Sequence, residues 1–486
     1  MIGNIINKEI RSIALSPKFT GTFIVATILI LLSIYTGIRE YDAMTERYHA
    51  ASQLVTQELE QSTSWGHLNT RVYRKPDPMQ ILVSGLDYDI GRWTPISSDA
   101  SVKLKNSAYS DDPIFAVFRF IDFAFIIQYV LTLFAILFTF NAISGEREDG
   151  TLKLIFSNPI SRAKYLIGKI GGVWLSLVIP ISIPILLGVL LLLIFNIPFT
   201  GDDWLKIVLF IAYSLTLFTF FMALGLFISS LCKRSSVSFL VSLVAWVLLV
   251  MIIPRVGIMA AGHLVNVPRV AEIEGQLFSY SKQLWDKHYQ DSANRWSDYE
   301  SNDGAITLDD AALWAMLERE DSLKTEIENQ IHEYDLKLRE DLRQRKFQQE
   351  KLAYALSCIS PVAAYQIGSM SLAGTNVESK ELYEDAANNY REQFFAFTEQ
   401  KKKETGDLGQ MIVSMTIDDE GNQQMSTAGD RDKEKLDFGD MPEFVQPGQA
   451  LGESVSPVIL LWGVILLYSI IAFFGASVAF VRYDVR

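Results

Sequence analysis

The sequence predicts an all-α protein that crosses a membrane six times. Of its 486 residues, 49% are hydrophobic, and the mean hydropathy is +0.19. The apolar residues are gathered in long blocks and are not spread with the period of a strand or of an amphipathic helix. A helix needs roughly 20 apolar residues to cross the hydrocarbon core, where the backbone must satisfy its own hydrogen bonds. The blocks that meet this length are residues 19–38, 115–143, 165–195, 204–230, 237–256 and 458–481.

An amphipathic helix is predicted before the first span, over residues 1–18. Isoleucines recur on one helical side, and Lys8, Arg11 and Lys18 are among the polar positions. Such a pattern is typical of a helix that lies on the membrane surface, although a frayed N-terminal extension is the alternative. Pro17 is expected to separate this helix from the first span.

The distribution of Lys and Arg predicts that both termini are cytoplasmic. Basic residues lie at the N-terminus, in residues 144–169, in residues 231–236 and at the C-terminus. With six spans all four segments fall on one side, and the positive-inside rule assigns that side to the cytoplasm. Residues 39–114 then form an extracytoplasmic loop, and residues 257–457 form a large extracytoplasmic domain.

The extracytoplasmic domain is predicted to be mainly helical and strongly acidic. Residues 257–455 contain 20 Lys and Arg against 37 Asp and Glu, a net charge of −17, whereas the whole chain carries −13. This acidity argues against nucleic acid as a partner. Within the domain, residues 353–374 are almost uncharged. This composition predicts either a re-entrant helix pair broken at Pro361 or a buried core helix.

No motif typical of catalysis or of a metal site is found in the sequence. Gly168-Lys169 lacks the upstream glycine and the following Ser or Thr of a phosphate-binding loop, and neither GxSxG nor HExxH occurs. The five histidines are scattered, and the two cysteines fall on opposite sides of the membrane in the predicted topology. We therefore expect that the chain is not itself an enzyme and that it holds no cofactor and no metal.

The second span carries the polar residues that could line a pathway. Arg119 and Asp122 are three residues apart on one helical side, and they can pair with each other or reach lipid headgroups at the outer boundary. Gln128 and Asn141 follow on the same span. These four residues are the candidates for a pathway or for interfacial contacts.

The segment between the second and third spans is the most informative part of the chain. It reads SGEREDGTLKLIFSNPISRAKYLIGK over residues 144–169. Gly150 permits a sharp reversal, and Leu152, Leu154 and Phe156 form a short apolar face. A solvated loop that merely obeys the positive-inside rule has no use for such a face. The pattern therefore favours a docking element for a soluble partner.

This segment resembles a specific family, the ABC-2-type transporter permeases. In that family an E-R-E-x-G-T run follows the second span and precedes a P-(I/V)-S-R segment. In the predicted outer domain, LSCISPVAAYQIGSMSLAGT followed by AANNYR resembles the subgroup with a large insertion between spans five and six. By this resemblance residues 144–164 are a cytoplasmic coupling loop, in which Glu146, Arg147, Glu148, Gly150 and Thr151 begin the helix that contacts an ATPase.

The resemblance also implies the composition of a complex. This chain would be one of two permease subunits in a bacterial inner membrane, expected as a homodimer, with two copies of a cytoplasmic ATPase that hold ATP and Mg²⁺. The expected activity is export across the lipid bilayer. The alternative is a mechanical transmitter, in which the ATPase moves the extracytoplasmic domain against a periplasmic or surface partner and nothing crosses the membrane.

Overall fold

Six helices in the computed structural model are long and apolar enough to cross a membrane, among the residues that the structure describes. The described residues are 2–65, 68–97, 102, 104–107, 121–157, 161–303, 311–405, 413–417, 423–427 and 436–482. The predicted class, an all-α polytopic membrane protein, is confirmed. The six helices are Pro17–Glu60, Phe123–Glu148, Arg162–Ile194, Gly201–Leu231, Ser235–Leu264 and Leu451–Arg482.

The N-terminal region forms two helices separated at Pro17. Helix α1 covers Ile2–Ala14, and helix α2 covers Pro17–Glu60. The Ser16 hydroxyl caps α2 by accepting a hydrogen bond from the backbone N–H of Phe19 at 3.2 Å. Proline is well suited to the first helical position because it lacks the N–H that would otherwise be unpaired there. With 44 residues, α2 continues well beyond the predicted first span.

The next four helices include the segment between the second and third predicted spans. Helix α3 covers residues 123–139 and includes a π-helical stretch at Ile126–Leu131. Two short helices follow, α4 at Ser144–Glu148 and α5 at Thr151–Phe156. Helix α6, Arg162–Ile194, returns into the apolar bundle. The predicted start of the second span, residues 115–120, lies outside the described residues.

Helix α7, Gly201–Leu231, packs against several other helices of the bundle. Trp174 of α6 donates its indole N–H to Thr219 at 3.0 Å, and Trp462 of the final helix donates to Thr216 at 2.9 Å. A Cβ added at Gly225 would lie 2.0 Å from the Thr139 hydroxyl, so α3 approaches α7 closely. The remaining helices of the bundle are α8, residues 235–264 with a π-helical stretch at Leu248–Ile252, and α13, Leu451–Arg482.

The chain divides into two compact units. The membrane unit comprises Met1–Met251 and Ser360–Arg486, and the hairpin unit comprises Ile252–Ile359. In the hairpin unit, helix α9 (Val270–Asp303) pairs with helix α10 (Ala311–Ser357). Tyr280 and Tyr334 stack at 4.2 Å between ring centroids, which fixes the pairing of the two helices. The predicted 257–457 domain is thus shared between the two units.

The membrane unit contains a second core outside the apolar spans. Strands β1 (Thr70–Tyr73) and β2 (Trp93–Ile96) pair antiparallel, and helix α12 (Val377–Thr405) packs beside them. Trp65, Tyr383 and Phe394 are buried in this core. Residues of the predicted 39–114 loop and of the predicted 257–457 domain therefore share one core. A short hairpin of β3 (Val413–Ile417) and β4 (Gln423–Thr427) follows α12.

Helix α11, Pro361–Ala373, is buried against α7 and α13. The Tyr213 hydroxyl donates to the carbonyl oxygen of Ala364 at 2.8 Å, and the ring of Tyr213 lies where a side chain at Gly368 would otherwise stand. Ser360, before α11, donates to the carbonyl oxygen of Leu249 in the π-helical stretch of α8. Residues 353–374 are thus split by a break at residues 358–360, and their second half packs against helices that are long enough to span a membrane.

Candidate functional site

The segment between α3 and α6 folds as two short helices joined by a tight reversal. Gly150 separates α4 from α5 with φ at +71°, a left-handed conformation that favours glycine. Its backbone N–H donates to the carbonyl oxygen of Arg147 at 3.2 Å, and the Thr151 hydroxyl donates to the carbonyl oxygen of Glu146 at 3.3 Å. Ser161 caps α6 by accepting from the Lys164 N–H at 3.4 Å. We call residues 144–162 the loop module.

Helices α7 and α8 satisfy the backbone groups at the entry to the loop module. The Ser229 hydroxyl accepts from the N–H groups of Ile143 and Ser144, both at 3.0 Å. The Ser238 hydroxyl donates to the carbonyl oxygen of Phe140 at 2.6 Å. These backbone groups lie where α3 ends and α4 begins, so they have no partner within a continuous helix. The start of the loop module is therefore fixed to two other helices.

Glu146 is bound within the protein and does not face solvent. Its Oε1 accepts from Lys8 at 2.7 Å and from Lys169 at 2.9 Å, and its Oε2 accepts from the Tyr165 hydroxyl. The side chain is only 12% exposed. This carboxylate therefore joins α1 and α6 to the loop module, because its partners come from both helices.

The next two charged residues bind the ends of two further helices. Arg147 donates to the carbonyl oxygen of Cys232 at 3.1 Å, at the C-terminal end of α7. Glu148 accepts from the backbone N–H of Ser235 at 3.0 Å, at the N-terminal end of α8. A cation at a helix C-terminus and an anion at a helix N-terminus both interact favourably with the helix dipole.

The end of the loop module is attached to the last helix. Arg162 donates to the carbonyl oxygens of Phe480 and Val481 near the C-terminus of α13. Leu152 is buried with Tyr165, Leu226 and Phe480 in one apolar cluster, and Phe156 packs on its edge. The module therefore contacts α1, α6, α7, α8 and α13.

Only part of the predicted apolar face is free to contact another protein. Leu152 is 2% exposed, whereas Leu154 is 69% exposed. Ile155 and Phe156 are half-buried, and the Phe156 ring lies 5.4 Å from that of Tyr165. Since Leu152 and Leu154 point to different sides of α5, one anchors the helix and the other stands at the surface beside the exposed Lys153.

The predicted polar residues of the second span do not form one group. Arg119 lies outside the described residues. Asp122 caps α3 by accepting from the Phe125 N–H at 2.7 Å, and it also accepts from the backbone and hydroxyl of Ser84 at 2.8 and 2.7 Å. Gln128 is buried in the π-helical stretch, and Asn141 is exposed just before α4. Asp122 thus ties the loop that contains Ser84 to the start of a span.

Several residues of this site were missed by the sequence analysis, namely Glu9, Tyr165, Lys169, Ser229 and Phe480. Lys8 and Arg162 were counted only as positive charges for topology, and Lys169 was otherwise compared only with the lysine of a phosphate-binding loop. The glycines at 168 and 172 are the one local signal, since small residues let helices approach closely. The partners themselves lie up to 319 residues away along the chain, so the spacing of residues alone does not reveal them.

A small cavity lies between α3, α6 and α7. It measures about 20 Å³ and is lined mainly by apolar side chains. A volume of this size holds about one water molecule. Among the described residues, no group of three or more His, Cys, Asp or Glu could bind a metal ion.

The comparison with protein families decides the assignment. A family model described as ABC-2 family transporter protein matches residues 3–485, almost the whole chain. This chain belongs to the ABC-2 transporter family. It is therefore a multi-pass membrane component, a permease subunit of an ABC transporter, and the family implies that an ATPase completes the complex. No curated protein matches the sequence.

Proposed function

We propose that this permease is driven by a cytoplasmic ATPase that docks on residues 144–164 and that its transport direction is outward. The observation that supports docking is the exposed Leu154 on a helix that is otherwise anchored. An apolar side chain that is 69% exposed at the surface of a short, fixed helix can enter a pocket of a partner with little loss of conformational entropy. Lys153 and Asp149, both exposed beside it, can orient the encounter.

In this proposal the E-R-E run, residues 146–148, does not contact the ATPase directly. Glu146, Arg147 and Glu148 bind α1, α6, α7 and α8, as described above. A push on α5 is therefore passed to several helix ends at once, because charge-assisted hydrogen bonds connect them. We infer that Leu154 receives the force and that the charged run distributes it to the spans.

The proposed complex contains two permease subunits and two ATPase subunits. ATP and Mg²⁺ are bound by the ATPase, and their binding and hydrolysis drive the population shift between inward-open and outward-open states. The permease is proposed to be a homodimer in a bacterial inner membrane with both termini in the cytoplasm. The subgroup with an insertion between spans five and six is the proposed branch of the family.

The docking proposal is tested with Leu154→Asp, measured as co-purification with the ATPase and as the rate of ATP hydrolysis. We expect loss of association and of the hydrolysis that depends on the permease. Leu15→Asp is the matched control, because Leu15 is 84% exposed and lies outside the loop module. Retention of the ATPase by Leu154→Asp at the level of the control would contradict docking at this face.

A second candidate function is mechanical transmission, and the length of the hairpin unit favours it. Helices α9 and α10 contain 34 and 47 residues, far more than a short connection between spans requires. In this case the ATPase stroke moves the hairpin unit against an external partner. The two functions share the docking face and differ in what the hairpin unit does.

The hairpin unit can be shortened at a defined place. Gln349 donates to the carbonyl oxygen of Val265 at 3.0 Å, so residues 265 and 349 are neighbours in space. A short Gly-Ser linker in place of residues 266–348 removes most of α9 and α10. If the shortened chain restores the phenotype of a deletion strain and stimulates ATP hydrolysis normally, the transmitter function is excluded. Normal hydrolysis with no restored phenotype supports it.

A further inference from the structure

A buried ion cluster joins the N-terminal helix to the loop module. The Lys169 ammonium lies 2.9 Å from Oε1 of Glu9 and 2.9 Å from Oε1 of Glu146. The side chains of these three residues are 4%, 8% and 12% exposed. One lysine of α6 therefore bridges a carboxylate of α1 and a carboxylate of α4, which are 137 positions apart in the sequence.

The charges in this cluster balance only when Lys8 is included. Lys8 also contacts Glu146, at 2.7 Å, but its side chain is 54% exposed. The two lysines that contact Glu146 therefore differ in burial: Lys169 is buried, whereas Lys8 is exposed to solvent. A solvent-exposed ion pair contributes little, whereas loss of one partner from a buried pair leaves an uncompensated charge. Lys169 is the member of the cluster on which the link between α1 and the loop module depends.

Helix α1 packs closely against α6 because α6 has glycines at the contact. A Cβ added at Gly172 would lie 2.7 Å from Cβ of Glu9, and one added at Gly168 would lie 3.1 Å from Cβ of Ile5. Ile13 is buried and Ile5 is half-buried, so part of the apolar side of α1 is occupied by protein contacts. A helix held this closely moves with its neighbour, because packed interiors have low compressibility.

We propose that Lys169 is a positioning residue through which α1 sets the orientation of the loop module. Helix α1, the cytoplasmic end of α6 and the α4–α5 pair behave as one rigid body, and Glu9 and Glu146 are its two attachment points. This role rests on the proposed function where it concerns coupling to the ATPase. The rigid body itself is a property of the permease alone and can be measured without the ATPase.

The first experiment measures the geometry in the isolated permease. Spin labels at Ser12 of α1 and Lys153 of α5, both exposed, report the distance between α1 and the loop module, after Cys232 and Cys358 are replaced by Ser. The double variant Lys169→Met with Glu9→Gln removes one positive and one negative charge, so Lys8 and Glu146 remain balanced. We expect a narrow distance distribution in the parent chain and a broad one in the double variant.

The matched control for this measurement is Lys8→Met, which removes the exposed ammonium from the same carboxylate. We expect its distance distribution to stay narrow. An unchanged distribution in the double variant, or equal broadening in Lys8→Met, would overturn the positioning role of Lys169. The thermal unfolding midpoint of the double variant reports whether it folds. If it does not, Lys169→Arg, which keeps the charge and changes its geometry, gives the same test with smaller broadening expected.

The second experiment measures coupling in the assembled complex. For the double variant we expect the ATPase to associate normally and its permease-stimulated hydrolysis rate to fall at least fivefold, with the KM for ATP unchanged. Stimulation at the parent level would contradict the role of Lys169 in coupling. The variant Leu154→Asp separates the two proposals: if it fails to release the ATPase, the docking proposal fails, whereas the distance measurement still decides the role of Lys169.

Discussion

The guanidinium of Arg147 lies 3.1 Å from the carbonyl oxygen of Cys232, the residue that follows the last residue of α7. Glu148, its neighbour in the sequence, lies 3.0 Å from the backbone N–H of Ser235, where α8 begins. Two adjacent side chains of opposite charge thus hold the two helix ends on either side of one turn. The sign of each charge is the one that the corresponding helix end favours.

Replacement of Arg147 by Met should weaken this attachment. Loss of a hydrogen bond from a charged donor costs roughly 1.5–3 kcal/mol, although a site near solvent falls at the lower end. We expect a lower midpoint of thermal unfolding in detergent and reduced stimulation of the ATPase, because α7 is no longer held to the loop module. Arg147→Lys, which keeps the charge, is the control. Its unfolding midpoint and its stimulation of the ATPase should both fall less than those of Arg147→Met. Equal loss in the two variants would show that the charge at this helix end is not what matters.

Substitution of Gly150 by Ala should strain the reversal between α4 and α5. The left-handed conformation at this position costs a residue with a Cβ roughly 1–2 kcal/mol. No atom lies within 4 Å of the added Cβ, so the effect comes from the backbone alone. Gly201→Ala, also with nothing within 4 Å and with no positive φ, should be close to neutral. Hydrogen exchange of residues 145–157 measures the difference, which should be confined to the Gly150 variant.

Removal of the indole N–H of Trp246 should loosen the contact between the two helices that contain π-helical stretches. Trp246 donates to the Thr132 hydroxyl at 2.9 Å, and Thr132 in turn donates to the carbonyl oxygen of Gln128. We expect Trp246→Phe to destabilise the protein by about 1 kcal/mol, since a buried acceptor loses its donor while most of the ring packing is kept. Thr132→Val should give a similar loss. The double variant should add little, and additive losses would exclude the hydrogen bond as the cause.

A methyl group at Gly368 should disturb the packing of α11. The added Cβ would lie 2.8 Å from the ring and hydroxyl of Tyr213, which is fully buried. Overpacking of this kind costs roughly 1–3 kcal/mol. Gly463→Ala in α13, with no atom within 4 Å, should be neutral or slightly stabilising because alanine favours helix. Thermal unfolding distinguishes the two, and an equal response would argue against close contact of α11 with α7.

The pairing of α9 and α10 should weaken at acidic pH. A hydrogen bond from Arg295 lowers the pKa of Glu320 below its usual value near 4.5. A carboxyl with a lowered pKa in the folded state adds stability above its unfolded pKa, and this stability is lost as the pH falls through the folded pKa. The protection factors of amides in the hairpin unit, which correct the exchange rates for their intrinsic pH dependence, should therefore fall below about pH 4.5. Glu320→Gln should show lower protection factors at neutral pH and a smaller fall at acidic pH, and an unchanged pH profile of protection would exclude Glu320 as its source.

The sequence alone predicted the structural features that depend only on residues close together in the chain. The six apolar blocks each exceed the length that a bilayer demands, and each corresponds to one of the six long apolar helices found in the structure. The end of the helix before Pro17 is also a local feature, since proline lacks the N–H that would continue that helix. Glycine was expected to permit a reversal at residue 150, where the backbone indeed has positive φ.

The contacts of each charged residue in the loop module could be identified only from the tertiary structure. The sequence grouped Glu146, Leu152 and Leu154 as one docking face, because a linear pattern does not say which neighbour will cover each side chain. The fold buries Leu152 and Glu146 against helices from distant parts of the chain and leaves Leu154 exposed. The identity of these partners depends on helices that meet only after the whole bundle has packed.

What the sequence determined by itself is therefore the all-α class, the presence of six apolar segments long enough to cross a membrane, and the family. Hydrophobic length and a short motif carry that information, and neither depends on how the helices are arranged. The tertiary structure decided which helix ends the E-R-E run holds, how α1 is attached and which residues of the predicted outer domain share a core. These are long-range contacts, fixed by close helix approach at glycines and by buried charges that must find partners.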